Sequence, residues 1–180
     1  PTPKGPKALA DALPEGLEPR VDGRQRALLQ ELAYGTLRWY FRLDAILSRL
    51  MQKPLKQRDA DLRCLLLTGL YQLDQLAMPQ RVAVHETVQA TRALDQSWAS
   101  GLVNGVLRNY QRNAAALESA ISEQAGARHA HPGWLIEALQ SDWPEDWRAI
   151  LAANNARPPF SLRVNRQRVT RAEYLEILAE

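Results

Sequence analysis

The fold is decided by residues 59–76, which read DADLRCLLLTGLYQLDQL. Apolar side chains recur there at spacings of three and four and surround much of the helix circumference, at Leu62, Leu65, Leu66, Leu70, Tyr71, Leu73 and Leu76. A helix that is apolar nearly all round is normally buried among other elements. The segment therefore predicts the central helix of a bundle, ended by Met78-Pro79.

Amphipathic helices are predicted on both sides of this segment. Upstream, a run with helical periodicity extends from a predicted N-cap at Asp22 to Met51, which is long for one helix, so we expect a break between Gly35 and Tyr40. Downstream, helices are predicted at about 82–94 and 98–112. Because no strand-like alternation occurs up to this point and the connections are short, the sequence predicts an all-α bundle.

The pattern changes after about residue 124. Two short helices with tryptophans are predicted, from Trp134 and from Pro144, and Phe160–Asn165 alternates as a short strand. Thr170 and Glu173 then form a capping box that opens another helix. A lone strand and helix cannot bury their own faces. We therefore expect residues 156–180 to be the first β–α unit of a truncated second domain, an α/β one.

The predicted division has four parts. Residues 1–21 are Pro-rich and irregular, residues 22–125 form the bundle, residues 126–155 form linker helices, and residues 156–180 begin the second domain.

Composition restricts the class of protein. The single cysteine excludes an internal disulfide, and no apolar run reaches the roughly 20 residues of a membrane span. We expect a soluble cytoplasmic protein with no membrane contact. The net charge is +3, and Arg outnumbers Lys 19 to 4, which favours a phosphate-bearing partner, although high genomic GC content gives the same bias.

No catalytic, cofactor-binding or metal-binding residue is predicted, because the chain lacks Gly-rich phosphate loops and metal-ligand spacings. Cys64 is expected to be a buried small hydrophobe, since a nucleophile needs a polar site. His85 is expected to cap or pack, and His131, before Pro132, to cap a helix. The tryptophans Trp134, Trp143 and Trp147 are expected in the core or in contact with another domain rather than on bases.

The arginine pattern indicates nucleic-acid contact. Six arginines and no acid or lysine lie between Trp147 and Ala172, and acids are also absent around Arg108 and Arg112. Guanidinium groups without acidic partners repel unless a polyanion joins them. Arg38 and Arg42, four residues apart, are expected on one helical face. The predicted RNA-binding residues are Arg24, Arg26, Arg38, Arg42, Arg108, Arg112, Arg157, Arg163, Arg166 and Arg168.

Several blocks of the sequence resemble a known family. Residues 26–38, RALLQELAYGTLR, resemble the "aLlqELcyGvLR" segment of the bacterial 16S rRNA m5C methyltransferase B family, the Sun or Fmu proteins. Three further blocks, LLTGLYQL (66–73), HETV (85–88) and GLVNGVLR (101–108), are also shared more loosely with the transcription factor NusB. The segments HPGWL (131–135), ANNARPP (153–159) and LRVN (162–165) lie beyond the usual end of NusB and resemble the junction between domains of the methyltransferase.

The resemblance implies a NusB-like RNA-binding domain, then a small RRM-like subdomain, then a catalytic domain that uses S-adenosylmethionine and a cysteine nucleophile. The motifs of that last domain are absent here, so this chain is expected to be inactive and to bind no cofactor. Its expected partners are 16S rRNA and its own C-terminal catalytic domain. Contacts between domains are expected at His131, Trp134, Asn154, Asn155 and Pro158. The alternative is a NusB-like antitermination factor without catalysis.

Overall fold

The computed structural model describes residues 22–76, 78–159 and 161–179. These residues form nine α-helices: α1 Gly23–Arg38, α2 Tyr40–Leu50, α3 Ala60–Asp74, α4 Gln80–Ala93, α5 Ser100–Ser122, α6 Ala125–His129, α7 Gly133–Asp142, α8 Trp147–Asn155 and α9 Arg171–Ala179. The all-α bundle is confirmed. The irregular segment predicted at 1–21 lies outside the described residues.

The first long run breaks where the sequence predicted. Asp22 caps α1 by accepting a hydrogen bond from the backbone N–H of Gln25 (2.7 Å), whose side chain bonds back to the N–H of Asp22. Trp39 leaves helical geometry between α1 and α2. Arg38 and Arg42 therefore belong to different helices, and the prediction of one shared face is wrong.

Helix α3 is the central element of the bundle. It packs against α1, α2, α4 and α5, and Leu62, Leu66 and Leu70 have no exposed surface. Burying a leucine side chain contributes about 1.5–3 kcal/mol. The close approach of α3 to α4 depends on Gly69, because a Cβ there would lie 2.8 Å from Cγ2 of Thr87.

Cys64 differs from expectation. It is exposed on α3, on the same side of the helix as the exposed residues Ala60 and Asp61. With 3.6 residues per turn, a position three or four residues from an exposed one shares its face. Cys64 therefore faces outward although leucines follow it at 65–67, and the prediction of a buried cysteine is wrong.

A second, smaller core lies after α6. Ile136 of α7 and Trp147 and Leu151 of α8 are buried together, with Leu139 packed against them. Helix α6 packs on α2, α5 and α7 and so joins this small core to the bundle. Helix α8 begins at Trp147 rather than at Pro144, which lies in the preceding turn.

The segment after α8 is helical only at its end. Residues 161–165 have no regular secondary structure, and Phe160 lies outside the described residues. The predicted strand is therefore wrong over 161–165, since nothing within residues 22–76, 78–159 and 161–179 offers a strand to pair with it. The capping box is confirmed: the N–H of Thr170 donates to Glu173 (2.7 Å), and the N–H of Glu173 donates to the Thr170 hydroxyl (3.3 Å).

In the described part of the chain, no helix has the length and apolar character to cross a membrane.

Candidate nucleic-acid interface

One predicted RNA contact is part of the bundle core. The Arg42 side chain is 13% exposed, and its Nε lies 2.7 Å from Oδ2 of Asp74, which is itself 5% exposed. Arg42 also pairs with Glu118 of α5. Its guanidinium group thus joins α2, α3 and α5 and is not available to a phosphate, so the prediction for Arg42 is wrong.

The electrostatics of this core cluster follow from its hydrogen bonds. Burial alone would raise the pKa of Asp74, but hydrogen bonds from Arg42, Tyr110 and Gln75 hold that pKa below its ordinary value. Burial and the Asp74 carboxylate raise the pKa of Tyr110. Asp74 is therefore charged and Tyr110 neutral at physiological pH, which is the arrangement that keeps Arg42 in place.

Arg108 lies in a surface groove between α4 and α5. The groove has a volume of about 450 Å³ and is lined by Arg81, Val82, Val84, His85, Glu86, Val88, Asn104 and Arg108. Arg112 is exposed one turn beyond Arg108 on α5. We call Arg81, His85, Arg108 and Arg112 the α4–α5 basic face. None of its three arginines makes an ion pair with another described side chain.

Sequence reasoning missed two members of this face. Arg81 and His85 are four residues apart on α4, so their shared side of the helix was readable from the sequence. Their proximity to Arg108 was not, because it depends on how α4 packs against α5. His85 is exposed in the interior of α4, whose N-cap is Pro79, so the expectation that it caps or packs is wrong.

Arg157 anchors the chain after α8 to α1. Its Nη2 lies 2.5 Å from Oε2 of Glu31, and the hydroxyl of the buried Tyr71 donates to the other oxygen of Glu31 (2.7 Å). These two bonds lower the pKa of Glu31. Burial first, and then Glu31, raises the pKa of Tyr71 to about 12. The arginines between Trp147 and Ala172 have no acid among them in sequence, but one of them, Arg157, contacts Glu31 in the folded protein.

This anchor leaves two clefts between α1 and residues 153–159, and a third adjoins them between Trp39, α6 and residues 152–156; we call the three together the α1 cleft. Their volumes are about 410, 600 and 330 Å³. The structure thus brings together four predicted residues from the RNA and domain-contact groups, Arg38, Asn154, Arg157 and Pro158. Tyr34 and Trp39 are the aromatic side chains that line it.

A hydrogen-bond network holds the end of α8 against α6. The Nδ1–H of the buried His131 donates to the carbonyl oxygen of His129 (2.6 Å), and the Asn154 amide donates to Nε2 of His131 (2.7 Å). The Asn155 amide donates to the same carbonyl (2.8 Å). His131 thus bridges the two segments and is not a helix cap, because Pro132 is the N-cap residue of α7 and both ring nitrogens of His131 are used by this network.

The other predicted residues lie on the surface. Arg24 and Arg26 are exposed in the first turns of α1, where the positive end of the helix dipole disfavours cations and a bound anion would relieve that cost. Arg163, Arg166 and Arg168 are exposed before α9. Trp147 is buried as predicted, whereas Trp134 is 69% exposed and Trp143 is also exposed, so neither belongs to the core.

Within the described ranges, no group of three or more His, Cys, Asp or Glu side chains could hold a metal ion. The α4–α5 basic face offers cations, and the α1 cleft offers cations, amides and the rings of Tyr34 and Trp39. Groups of these kinds can contact phosphates and bases.

Comparison with known sequences identifies the family. The profile of the NusB family matches residues 6–112, more than half of the chain. The chain belongs to the NusB family. A second profile, described as "Methyltr_RsmF/B-like, ferredoxin-like domain", matches residues 131–180 of this NusB-family chain. The NusB family match confirms the prediction of a NusB-like bundle.

Curated relatives extend the similarity to nearly the whole chain. The chain is 49% identical over 97% of its length to the ribosomal RNA small subunit methyltransferase B of Pseudomonas syringae pv. tomato and covers 39% of that protein. It is 48% identical over 98% of its length to the protein of the same name from Pseudomonas putida, covering 40%. A probable methyltransferase of this name from Coxiella burnetii is 44% identical over 86% of the chain, covering 36%. This NusB-family chain therefore spans about two fifths of the length of these relatives.

Proposed function

We propose that this chain is the RNA-binding region of an S-adenosylmethionine-dependent rRNA cytosine methyltransferase of the small ribosomal subunit. The observation that carries the proposal is the order of the two family matches, a NusB domain followed by the ferredoxin-like domain of the RsmF/B-like methyltransferases. The alternative is a NusB-like antitermination factor. That alternative does not account for the match of residues 131–180 to the methyltransferases' ferredoxin-like domain.

In this proposal the parts of the chain have separate roles. Residues 22–125 bind rRNA, residues 126–155 connect, and residues 156–180 begin the next domain. Methyl transfer and cofactor binding belong to a catalytic domain downstream. This chain orients that domain toward an unpaired cytosine of the rRNA, and the protein acts in the cytoplasm. A target base must leave its stack to be modified, so an unpaired site is expected.

The α4–α5 basic face supplies the main contact to the rRNA backbone. Arg108 and Arg112 lie on one side of α5, and Arg81 and His85 face Arg108 across the groove. Guanidinium groups match phosphate oxygens with two parallel hydrogen bonds. Of the valines that line the groove, Val84 and Val88 pack in or against the core, and none of them competes for the phosphates. Arg24, Arg26, Arg163, Arg166 and Arg168 extend the contact as exposed cations elsewhere on the surface.

Charge reversal on this face tests the proposal. We expect Arg108→Glu combined with Arg112→Glu to weaken binding of a small-subunit rRNA transcript by at least tenfold at low salt, and to reduce the slope of log affinity against log salt by about 2. Fluorescence anisotropy across a salt series measures both. Lys53→Glu combined with Lys56→Glu is the matched control, because it makes the same change in net charge in the exposed loop between α2 and α3.

An equal loss in both double variants would mean that only total charge matters, and unchanged affinity of the arginine variant would refute the α4–α5 basic face. Calorimetry with S-adenosylmethionine is a second test. The 180-residue chain alone should give no binding heat, and a measurable heat would contradict the assignment of cofactor binding to a downstream domain.

A further inference from the structure

The α1 cleft is a separate surface from the α4–α5 basic face. Its three parts share lining residues: Tyr34, Arg38 and Pro158 belong to two of them, and Ala156 joins the third. Two of them therefore adjoin between α1 and residues 153–159, and the third lies beyond Ala156, between Trp39 and α6. Ligand clefts in proteins typically have volumes of roughly 300–1,000 Å³, and each part falls within that range.

Cations occur along the length of the α1 cleft. Arg128 lines one end, Arg38 lies at the middle, and Arg157 lies at the other end. Against these three arginines the lining has one acid, Glu31, which pairs with Arg157 and also interacts with the charge of Arg38. The potential in the cleft is therefore positive, which favours a ligand with repeated negative charge over an acidic side chain or a neutral peptide.

Aromatic rings alternate with these cations. Tyr34 is 40% exposed although it lies in the middle of a helix that packs on the core, and its ring borders two of the three parts. Trp39 lines the third part beside Arg128. Grooves that combine cations with stacking platforms bind single-stranded nucleic acid, because every base has an aromatic face.

The amides at the end of α8 add a means to contact base edges. The amide nitrogen of Asn154 is used by His131, and its carbonyl oxygen makes no hydrogen bond with another described residue. Asn154 lines the same part of the cleft as Tyr34, so this oxygen can accept from the edge of a base stacked on the ring.

We propose that the α1 cleft binds an unpaired RNA strand, with one base stacked on Tyr34 and its neighbouring phosphates held by Arg38 and Arg157. The cleft is walled on two sides, which suits a single strand with splayed bases rather than a duplex. It exists only where α1 meets the segment after α8, so it requires both the NusB-like bundle and the chain that follows. The proposal rests on RNA binding by the chain but not on the α4–α5 basic face.

The test measures binding of a short, unstructured RNA oligonucleotide to the 180-residue chain by fluorescence anisotropy. Tyr34→Ala is expected to weaken binding about 5- to 160-fold, as for the loss of one base stack, and Tyr34→Phe to remain within about twofold of the original. Trp98→Ala is the matched control, because Trp98 is 67% exposed before α5 and does not line the cleft. A transcript of the small-subunit rRNA is titrated in parallel.

The outcomes separate the two proposals. If neither RNA binds, the proposed function fails. If the transcript binds in a manner that depends on Arg108 and Arg112, but Tyr34→Ala leaves oligonucleotide binding unchanged, the inference is overturned and the cleft is left to a protein partner. Cross-linking of 4-thiouridine in the oligonucleotide gives an independent readout: adducts at residues 34–39 or 153–158 support the inference, and adducts confined to α4 and α5 overturn it.

Discussion

The bundle from Gly23 to Ser122 uses some of its arginines to hold helices together, whereas the segment from residue 156 to residue 179 exposes all of its arginines. In the bundle, Arg42 and Arg63 lie between helices and pair with carboxylates, Arg42 with Asp74 and Glu118 and Arg63 with Asp44. In the later segment Arg157 makes an ion pair, and the remaining arginines are exposed without one to another described residue. Arg42 and Arg63 thus hold helices together, whereas Arg163, Arg166, Arg168 and Arg171, like Arg108 and Arg112 on the bundle surface, are available to a partner.

The largest effect is expected inside the bundle. Asp74→Ala leaves Arg42 buried without its main carboxylate and also removes the acceptor of the Tyr110 hydroxyl. Removing one partner of a buried ion pair costs about 3–5 kcal/mol. Urea unfolding followed by circular dichroism measures the loss of unfolding free energy.

The matched control for this change is Arg112→Ala, an exposed position on α5 that should alter stability by no more than about 0.5 kcal/mol. Similar losses in the two variants would contradict the distinction between structural and available arginines.

The distinction was only partly readable from the sequence. Helical periodicity, the Asp22 cap, the break at Trp39 and the capping box at Thr170 are local properties, and the structure confirms each. Arg42 and Arg108 look alike in sequence, since each has apolar neighbours at helical spacing. Asp74 lies 32 residues from Arg42 and Glu118 lies 76 residues from it, so only the packing of α2, α3 and α5 tells the two arginines apart.

Contacts between residues far apart in sequence also limited the prediction of the candidate sites. The lack of acids around Arg157 was a fact about sequence neighbours, whereas its partner Glu31 lies 126 residues away. The predicted strand at Phe160–Asn165 followed from alternation, but alternation forms a strand only when another strand supplies hydrogen bonds. The α1 cleft could not be predicted, because it joins residues of α1 to residues more than a hundred positions later.

An intermediate effect is expected where α1 meets α3. A Cβ at Gly35 would lie 2.0 Å from Cζ of Tyr71, so Gly35→Ala must displace the ring whose hydroxyl holds Glu31. Overpacking of this kind costs about 1–3 kcal/mol.

Gly105→Ala is the control for helix propensity. Nothing lies within 4 Å of a Cβ at Gly105 in α5, so that change should stabilise the protein by about 0.5–1 kcal/mol. Thermal unfolding of both variants gives the comparison, and stabilisation by both would show that Tyr71 moves aside at no cost.

The smallest effect is expected at the ion pair that joins the two regions. Glu31→Gln keeps an acceptor for the Tyr71 hydroxyl but removes the charge that attracts Arg157. Because Arg157 is largely exposed, solvent screens the pair, and the change should cost at most about 1 kcal/mol at neutral pH. Glu123→Gln, an exposed position, is the control.

The pH dependence of this small difference identifies its cause. The pKa of Glu31 in the folded protein lies below the ordinary value of 4.5, because Tyr71 and Arg157 bond to the carboxylate. A lowered folded-state pKa stabilises the protein above the unfolded value, and that contribution is lost as the pH falls through the folded value. The stability gap between the original protein and Glu31→Gln should therefore be constant near neutral pH and shrink in acid below pH 4.5. A gap that persists unchanged in acid would show that packing of the side chain, rather than its charge, attaches residues 156–159 to α1.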